Sequence, residues 1–299
     1  MFEMLINPRK AERKPWELFF IGLFYAALSM LFVEGVFARD PVLSKYAGVL
    51  LVTFTVMFSM PFIYYTIKLE ESKISERRGT LALLREHKKA IVAFLWLFLG
   101  FVVAFSLGYI LFSTEHSFKA QIETYCVINR PSNVEACVAQ YHPRASSLPS
   151  SPTGSVTGTE RLTLIFTNNI YVLMFTLIFS LVFGAGVIFI LAWNASVIAA
   201  AIGIFTKSAA ACFHAGLIRY LVHGIPEIAS YFIVALAGGM VSVAVIKHEA
   251  GTPKFWEVLQ DSINLIILAL IVLFLAALAE VYLTPVIIDF AEVINPACF

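Results

Sequence analysis

The feature of this sequence that most limits its fold is a series of long apolar stretches joined by short polar connections. A helix needs about 20 apolar residues to cross the roughly 30 Å hydrocarbon core of a bilayer. Six stretches meet that length: residues 16–37, 47–67, 90–112, 169–193, 225–246 and 263–283. Only 14% of the 299 residues are charged, against about a quarter in globular proteins. The sequence therefore predicts an all-α, polytopic transmembrane helical bundle.

A seventh stretch, residues 195–222, is interrupted by polar residues. Thr206 and Lys207 follow an apolar run, and His214 and Arg219 then lie among small residues. The pattern predicts either a broken helix that crosses the membrane or a re-entrant segment.

Basic residues predict the orientation, because short cytoplasmic loops are enriched in Lys and Arg. Four of them precede the first span, and seven lie in residues 68–89. Lys247 and Lys254 favour a cytoplasmic turn before the last span. If residues 195–222 cross, about seven membrane segments result, with the N-terminus inside and the C-terminus outside. Residues 113–162 are then an extracytoplasmic loop of a multi-pass protein of the cell membrane.

The chain is predicted to divide into two parts. Residues 1–89 form an N-terminal transmembrane hairpin with a basic cytoplasmic linker, and residues 90–299 form a larger membrane domain that contains the external loop. Cys126 and Cys137 lie close together in that loop. Outside the cytoplasm they are candidates for a disulfide, and otherwise they are two free thiols.

The segment from His223 to Glu227, with the sequence HGIPE, is the most unusual polar feature of the apolar region. Pro226 suits the first turn of a helix, and Gly224 gives the chain freedom to turn before it. A helix is therefore predicted to begin near Ile225, with Glu227 in its first turn.

Ionisable residues within membrane spans are candidates for function because burying them in lipid is costly. One interpretation is an ion pair of Arg219 with Glu227, with His223 beside it. His214, His223 and Glu227 would suffice as ligands for a zinc ion. Their spacing is not that of a metalloprotease helix. No metal and no cofactor are predicted.

Other polar residues in the spans have simpler interpretations. Asn168 and Asn169 are predicted to cap the fourth span, and Asn194 is predicted to lie in the turn after it. Glu280, near the end of the last span, either pairs with a cation from the interrupted segment or reaches the surface. Small residues predict close helix contacts at Gly184, Gly186, Gly203, Ala235, Gly238 and Gly239.

Two segments, AWNASVIAAAIG around Asn194 and HGIPEIASYFIVALAGGM from His223, precede a turn and a final span. In this order they resemble the stage II sporulation protein M family over about residues 90–299. The motif residues of the resemblance are His223, Gly224, Pro226 and Glu227. It implies a scaffold without enzymatic activity; in sporulating bacteria the named member is understood to hold two peptidoglycan-degrading enzymes at the engulfing septum.

The predicted function is thus an integral membrane scaffold that organises other envelope or membrane proteins. The alternative is a transporter or channel for a small solute, ion or lipid that uses the interrupted helix and the His223 and Glu227 pair. An intramembrane enzyme, with those two residues transferring protons, is a third hypothesis. Predicted partners are membrane lipids, envelope proteins and a second copy of the chain. Nucleic acid is not among them, because the basic residues form only short runs between spans.

Overall fold

The computed structural model describes residues 14–37, 39–71, 80–112, 117–129, 133–141, 158–183, 188–206, 213–247 and 250–294. These residues form helices and turns, with no β-strand among them. The α-helices in chain order are α1 (Glu17–Phe37), α2 (Ala47–Glu71), α3 (Thr80–Phe112), α4 (Lys119–Asn129), α5 (Val134–Tyr141), α6 (Gly158–Phe183), α7 (Ile188–Thr206), α8 (Phe213–Ile246), α9 (Pro253–Leu278) and α10 (Thr284–Ile294). A π-helical turn, Ala279–Leu283, joins α9 to α10.

Helices α1 and α3 pack closely because glycines face each other at their crossing. A Cβ atom added to Gly100 would overlap the Phe19 carbonyl and would lie 2.7 Å from the Leu23 nitrogen. Further along, Met30 of α1 lies against Gly108 of α3. Residue numbers therefore rise together along both helices, which run parallel. Helix α2 connects them in the opposite direction.

Helices α6 and α8 also run parallel, and α9 runs antiparallel to α8. Gly238 of α8 lies against Ser180 of α6, and Ser262 of α9 donates a 3.0 Å hydrogen bond to the Ala237 carbonyl of α8. If α6 and α8 both cross the membrane in the same direction, the chain between them must cross back. Helix α7 lies between them in sequence, and its 19 residues extend about 28 Å, close to the thickness of the hydrocarbon core.

The described residues contain six helical stretches long and apolar enough to cross a membrane, together with a shorter apolar helix at Ile188–Ile204. The chain is accordingly an all-α polytopic membrane protein. The predicted boundaries need two corrections. The fourth span is α6, which begins and ends about ten residues before the predicted stretch 169–193, and residues 195–222 are divided between α7 and α8.

The predicted helix start near Ile225 is wrong, because α8 is a single helix from Phe213 to Ile246 with Pro226 inside it. A proline in a helix removes one backbone hydrogen bond. Ending one helix and starting another would leave about eight backbone groups unpaired, which is costly in lipid. Continuing the helix through Pro226 is therefore the cheaper solution, and α2 does the same at Pro61.

A small helical unit, α4 with α5, is attached to the bundle between α3 and α6. The sulfur atoms of Cys126 and Cys137 are bonded, joining α4 to α5. The buried amide of Gln121 on α4 donates hydrogen bonds to the Gly48 carbonyl at 2.9 Å and to the Ser196 hydroxyl at 3.2 Å. The unit is thereby fixed to α2 and α7.

Candidate functional site: a polar cluster among α6, α8 and the C-terminal turn

Glu227 lies on α8 about four turns after the helix begins, and its carboxylate contacts two neighbours. The Tyr231 hydroxyl, one turn further on, donates to Glu227 Oε1 at 3.0 Å. The Asn169 side chain of α6 is also hydrogen-bonded to Glu227, and as an amide facing a carboxylate it is the donor. Since Asn169 is buried, this contact ties α6 to α8 in the interior.

Glu280, in the π-helical turn, brings a second carboxylate to the same place. It lies close enough to Glu227 for the two groups to interact electrostatically, and like charges at short range repel each other in a poorly polarisable interior. Arg161 of α6 interacts with Glu280 and offsets part of that repulsion. One cation near Glu280 thus comes from α6. The candidate cations of the interrupted segment, Lys207 and the side chains of His214 and Arg219, lie outside the described residues.

His223 connects α8 to the start of α10. Its Nδ1 atom lies 3.2 Å from the Thr284 hydroxyl, which itself donates to the Ala279 carbonyl at 3.1 Å. A threonine hydroxyl has one hydrogen to donate, so this pattern assigns the proton in the first contact to His223 Nδ1. Thr284 is buried, and the pair closes the π-helical turn against α8.

These side chains form one group, which we name the polar cluster: Arg161, Asn169, His223, Glu227, Tyr231, Glu280 and Thr284. Its contacts link α6, α8, the π-helical turn and α10. Chemically it can hold helices together, and two facing carboxylates can also take up a proton or a cation. No group of three His, Cys, Asp or Glu side chains that could hold a metal ion occurs in the described parts of the chain.

The other residues singled out in the sequence lie away from the polar cluster or outside the described part. Asn194 is inside α7, where its amide donates to the Ile190 carbonyl at 2.8 Å; the predicted turn at Asn194 is wrong because the helix begins six residues earlier. The side chains of His214 and Arg219 are outside the described part of the structure, as are Gly184 and Gly186.

The small residues of α7 and α8 occupy tight positions, with one exception. Gly203 lies against the ring of Tyr109, and Gly238 lies 3.2 Å, measured from an added Cβ, from the Leu177 carbonyl. Ala235 and Gly239 are buried. A Cβ at Gly224 would meet nothing within 4 Å among the described residues, so their packing does not require a glycine at that position.

Three partners of Glu227 and Glu280 were not identified from the sequence. Asn169 was expected to cap a helix, but α6 begins at Gly158 and places Asn169 in its interior. Arg161 was assigned no role. Tyr231 could have been found, because residues four apart on a helix face each other, whereas no local pattern pairs residues on α6 with residues on α8.

The helical bundle, its apolar spans and the polar cluster within them define a polytopic integral membrane protein. Residues 93–285 match the family Stage II sporulation protein M. This match covers almost two thirds of the chain and includes the whole polar cluster, so the protein belongs to that family. A search of curated proteins finds no match, and a search of solved structures finds none.

Proposed function

We propose that this protein is a scaffold of the cell membrane that organises partner proteins, and that its polar cluster is architectural. The observation that carries the proposal is that Glu227 and His223 are both used in contacts between helices. The family is not known as an enzyme family, which agrees with a role without catalysis.

The unit of α4 and α5 is the surface that we propose for partner binding. The disulfide holds the two helices together, and the Gln121 contacts hold the unit to the bundle. An ordered surface loses less conformational entropy on binding than a flexible loop. Lys119, Glu123 and Val127 form an exposed stripe along α4 at four-residue spacing.

The orientation that we propose places this unit on the extracytoplasmic side. Lys14 precedes α1, and Lys68 lies near the end of α2. Lys88 lies where the apolar part of α3 begins, Lys247 directly follows α8, and Lys254 lies in the first turn of α9. By the positive-inside rule, the helix ends that carry these lysines are cytoplasmic. The unit of α4 and α5 follows the opposite end of α3.

The experiment that tests the proposed scaffold function compares two substitutions of Val127, whose side chain is 54% exposed. Tagged full-length protein is cross-linked in its native membranes, purified, and analysed by quantitative mass spectrometry. Val127→Glu should remove a defined set of co-purified envelope proteins, and Val127→Thr, which has nearly the same shape and no charge, should retain them. Equal recovery with both variants would reject α4 as the binding surface.

A transporter or channel is a second candidate because of the π-helical turn. Single π-helical turns inside α-helices frequently occur at functional sites. Here the turn carries Glu280 to the neighbourhood of Glu227, and paired carboxylates within a membrane are used in proton and cation pathways. A transporter or channel must move ions in a way that depends on Glu227. A scaffold has no such requirement.

A further inference from the structure

The face of α6 that points away from α8 carries a regular pattern that the contacts among the described residues do not use. Six exposed positions are separated by alternating intervals of four and three residues, as are the a and d positions of a coiled coil. These positions are Leu164, Asn168, Tyr171, Phe175, Ile178 and Val182. We refer to them as the α6 seam.

The α6 seam has the length and the exposure of an interhelical contact surface. Its five apolar or aromatic side chains are between 50% and 66% exposed. From Leu164 to Val182 it extends about 27 Å along the helix, which is nearly the full thickness of the hydrocarbon core. Helix α6 packs with its opposite side, where Asn169, Leu173, Thr176 and Ser180 are buried.

Asn168 distinguishes the α6 seam from an ordinary surface facing lipid. It is an exposed amide about ten residues inside a helix long enough to span the membrane, where a polar group in contact with hydrocarbon is costly. An amide offers two donor hydrogens and two acceptor lone pairs. In the described residues its side-chain contact is a long one, 3.4 Å from its Nδ2 to Asn169 Oδ1.

We propose that the α6 seam is the interface of a parallel homodimer, in which Asn168 hydrogen-bonds to Asn168 of a second copy. Copies inserted with the same topology present α6 in the same direction, and a two-fold axis along the membrane normal places identical positions opposite each other. Asparagine is both donor and acceptor, so it satisfies a second asparagine. A single Asn at an a position is also known to fix the register and the number of helices in a coiled coil.

The interface would be connected to the interior of each copy through adjacent amides. Asn168 donates to Asn169, and Asn169 donates to Glu227. Two successive hydrogen bonds therefore connect Asn168 of the α6 seam to Glu227 of the polar cluster. This inference does not rest on the scaffold function, because a dimer is compatible with transport as well.

Disulfide cross-linking in liposomes tests the interface with the purified full-length protein. Cys212 and Cys298 are first replaced by Ser, and Tyr171→Cys, a d position that leaves Asn168 intact, is introduced. Copper phenanthroline should give a cross-linked dimer at low protein density. Ile267→Cys, on the exposed face of α9, is the matched control and should stay monomeric. Equal cross-linking of the two variants, or none of either, would overturn the proposal.

A second variant separates specific pairing from random collision. Asn168→Leu fills the position with an apolar side chain of similar size, and its dimer fraction is measured by single-molecule photobleaching across protein-to-lipid ratios. The expected result is dimerisation about ten-fold weaker than in the parent protein, as loss of one interhelical hydrogen-bonded pair implies. An unchanged dimer fraction, or a parent protein that is monomeric at every density, would assign the α6 seam to lipid or to a different protein.

Discussion

Single polar side chains in the membrane-spanning helices of this protein have specific partners on other helices. Glu227 reaches Asn169 of α6, and His223 reaches Thr284 of α10. In lipid an unpaired polar group finds no water to replace a lost partner. Such residues therefore select one arrangement of helices from the many that apolar faces alone would permit.

Thr284 offers a clean test at the level of one hydroxyl group. Thr284→Val keeps the shape of the side chain and removes the contacts with His223 Nδ1 and the Ala279 carbonyl. We expect the free energy of unfolding in nanodiscs to fall by about 0.5–1.5 kcal/mol. Thr284→Ser, which keeps the hydroxyl, is the control and should remain close to the parent protein. Unchanged stability of Thr284→Val together with a loss in Thr284→Ser would show that packing of the methyl group matters and the hydrogen bonds do not.

Three of the seven residues of the polar cluster could be identified from the sequence, for a physical reason. His223, Glu227 and Glu280 stand out because charged and polar groups are costly in a span. Their partners on α6 cannot be read from local spacing, since that contact depends on how two distant segments pack. Asn169 was also misassigned because polar residues at the start of α6 lower its hydropathy, which moved the predicted start of the span past the true one.

Close glycine contacts determine how the first helices pack. Gly22 and Gly100 allow α1 and α3 to approach until backbone meets backbone. In membranes such packing, and not the hydrophobic effect, holds helices together. These two glycines were not singled out in the sequence, since a glycine in an apolar span has the same local signature whether or not another helix touches it.

A pair of Gly→Ala substitutions tests this crossing. Gly100→Ala places a methyl group against the Phe19 carbonyl and the Leu23 nitrogen, and we expect it to destabilise the protein by about 1–3 kcal/mol. Gly35→Ala, in α1 with no described atom within 4 Å of the added one, should be neutral or stabilise by up to about 1 kcal/mol. Thermal unfolding in nanodiscs measures both. A similar midpoint for the two variants would contradict a close α1–α3 contact.

The presence of each long span could be predicted from the sequence more accurately than the residues at which each helix begins and ends. Hydropathy located all six long spans, but the proline rule, which holds in water, predicted a break at Pro226 that α8 does not have. In a membrane the cost of exposing backbone groups at two new helix ends exceeds the cost of one missing hydrogen bond. The same reasoning explains why Pro61 lies inside α2.

At the scale of the whole molecule, the fold is a bundle whose interior is held by the polar cluster and whose α6 seam faces outward. Helices α1, α6 and α9 expose most of their spans and are the surfaces available to lipid and to other membrane proteins. Helix α8 is largely enclosed. This helix carries His223 and Glu227. Residues with an architectural role are expected to lie on an enclosed helix.

The measurement that tests this role most directly is proton movement across liposomes containing the purified protein. A pH-sensitive dye is enclosed, a pH gradient is imposed, and potassium with valinomycin prevents a membrane potential from building up. The account predicts that the parent protein and Glu227→Gln both leave the gradient to decay as slowly as in protein-free liposomes. Rapid decay with the parent protein that Glu227→Gln abolishes would contradict it and would make the polar cluster a proton pathway.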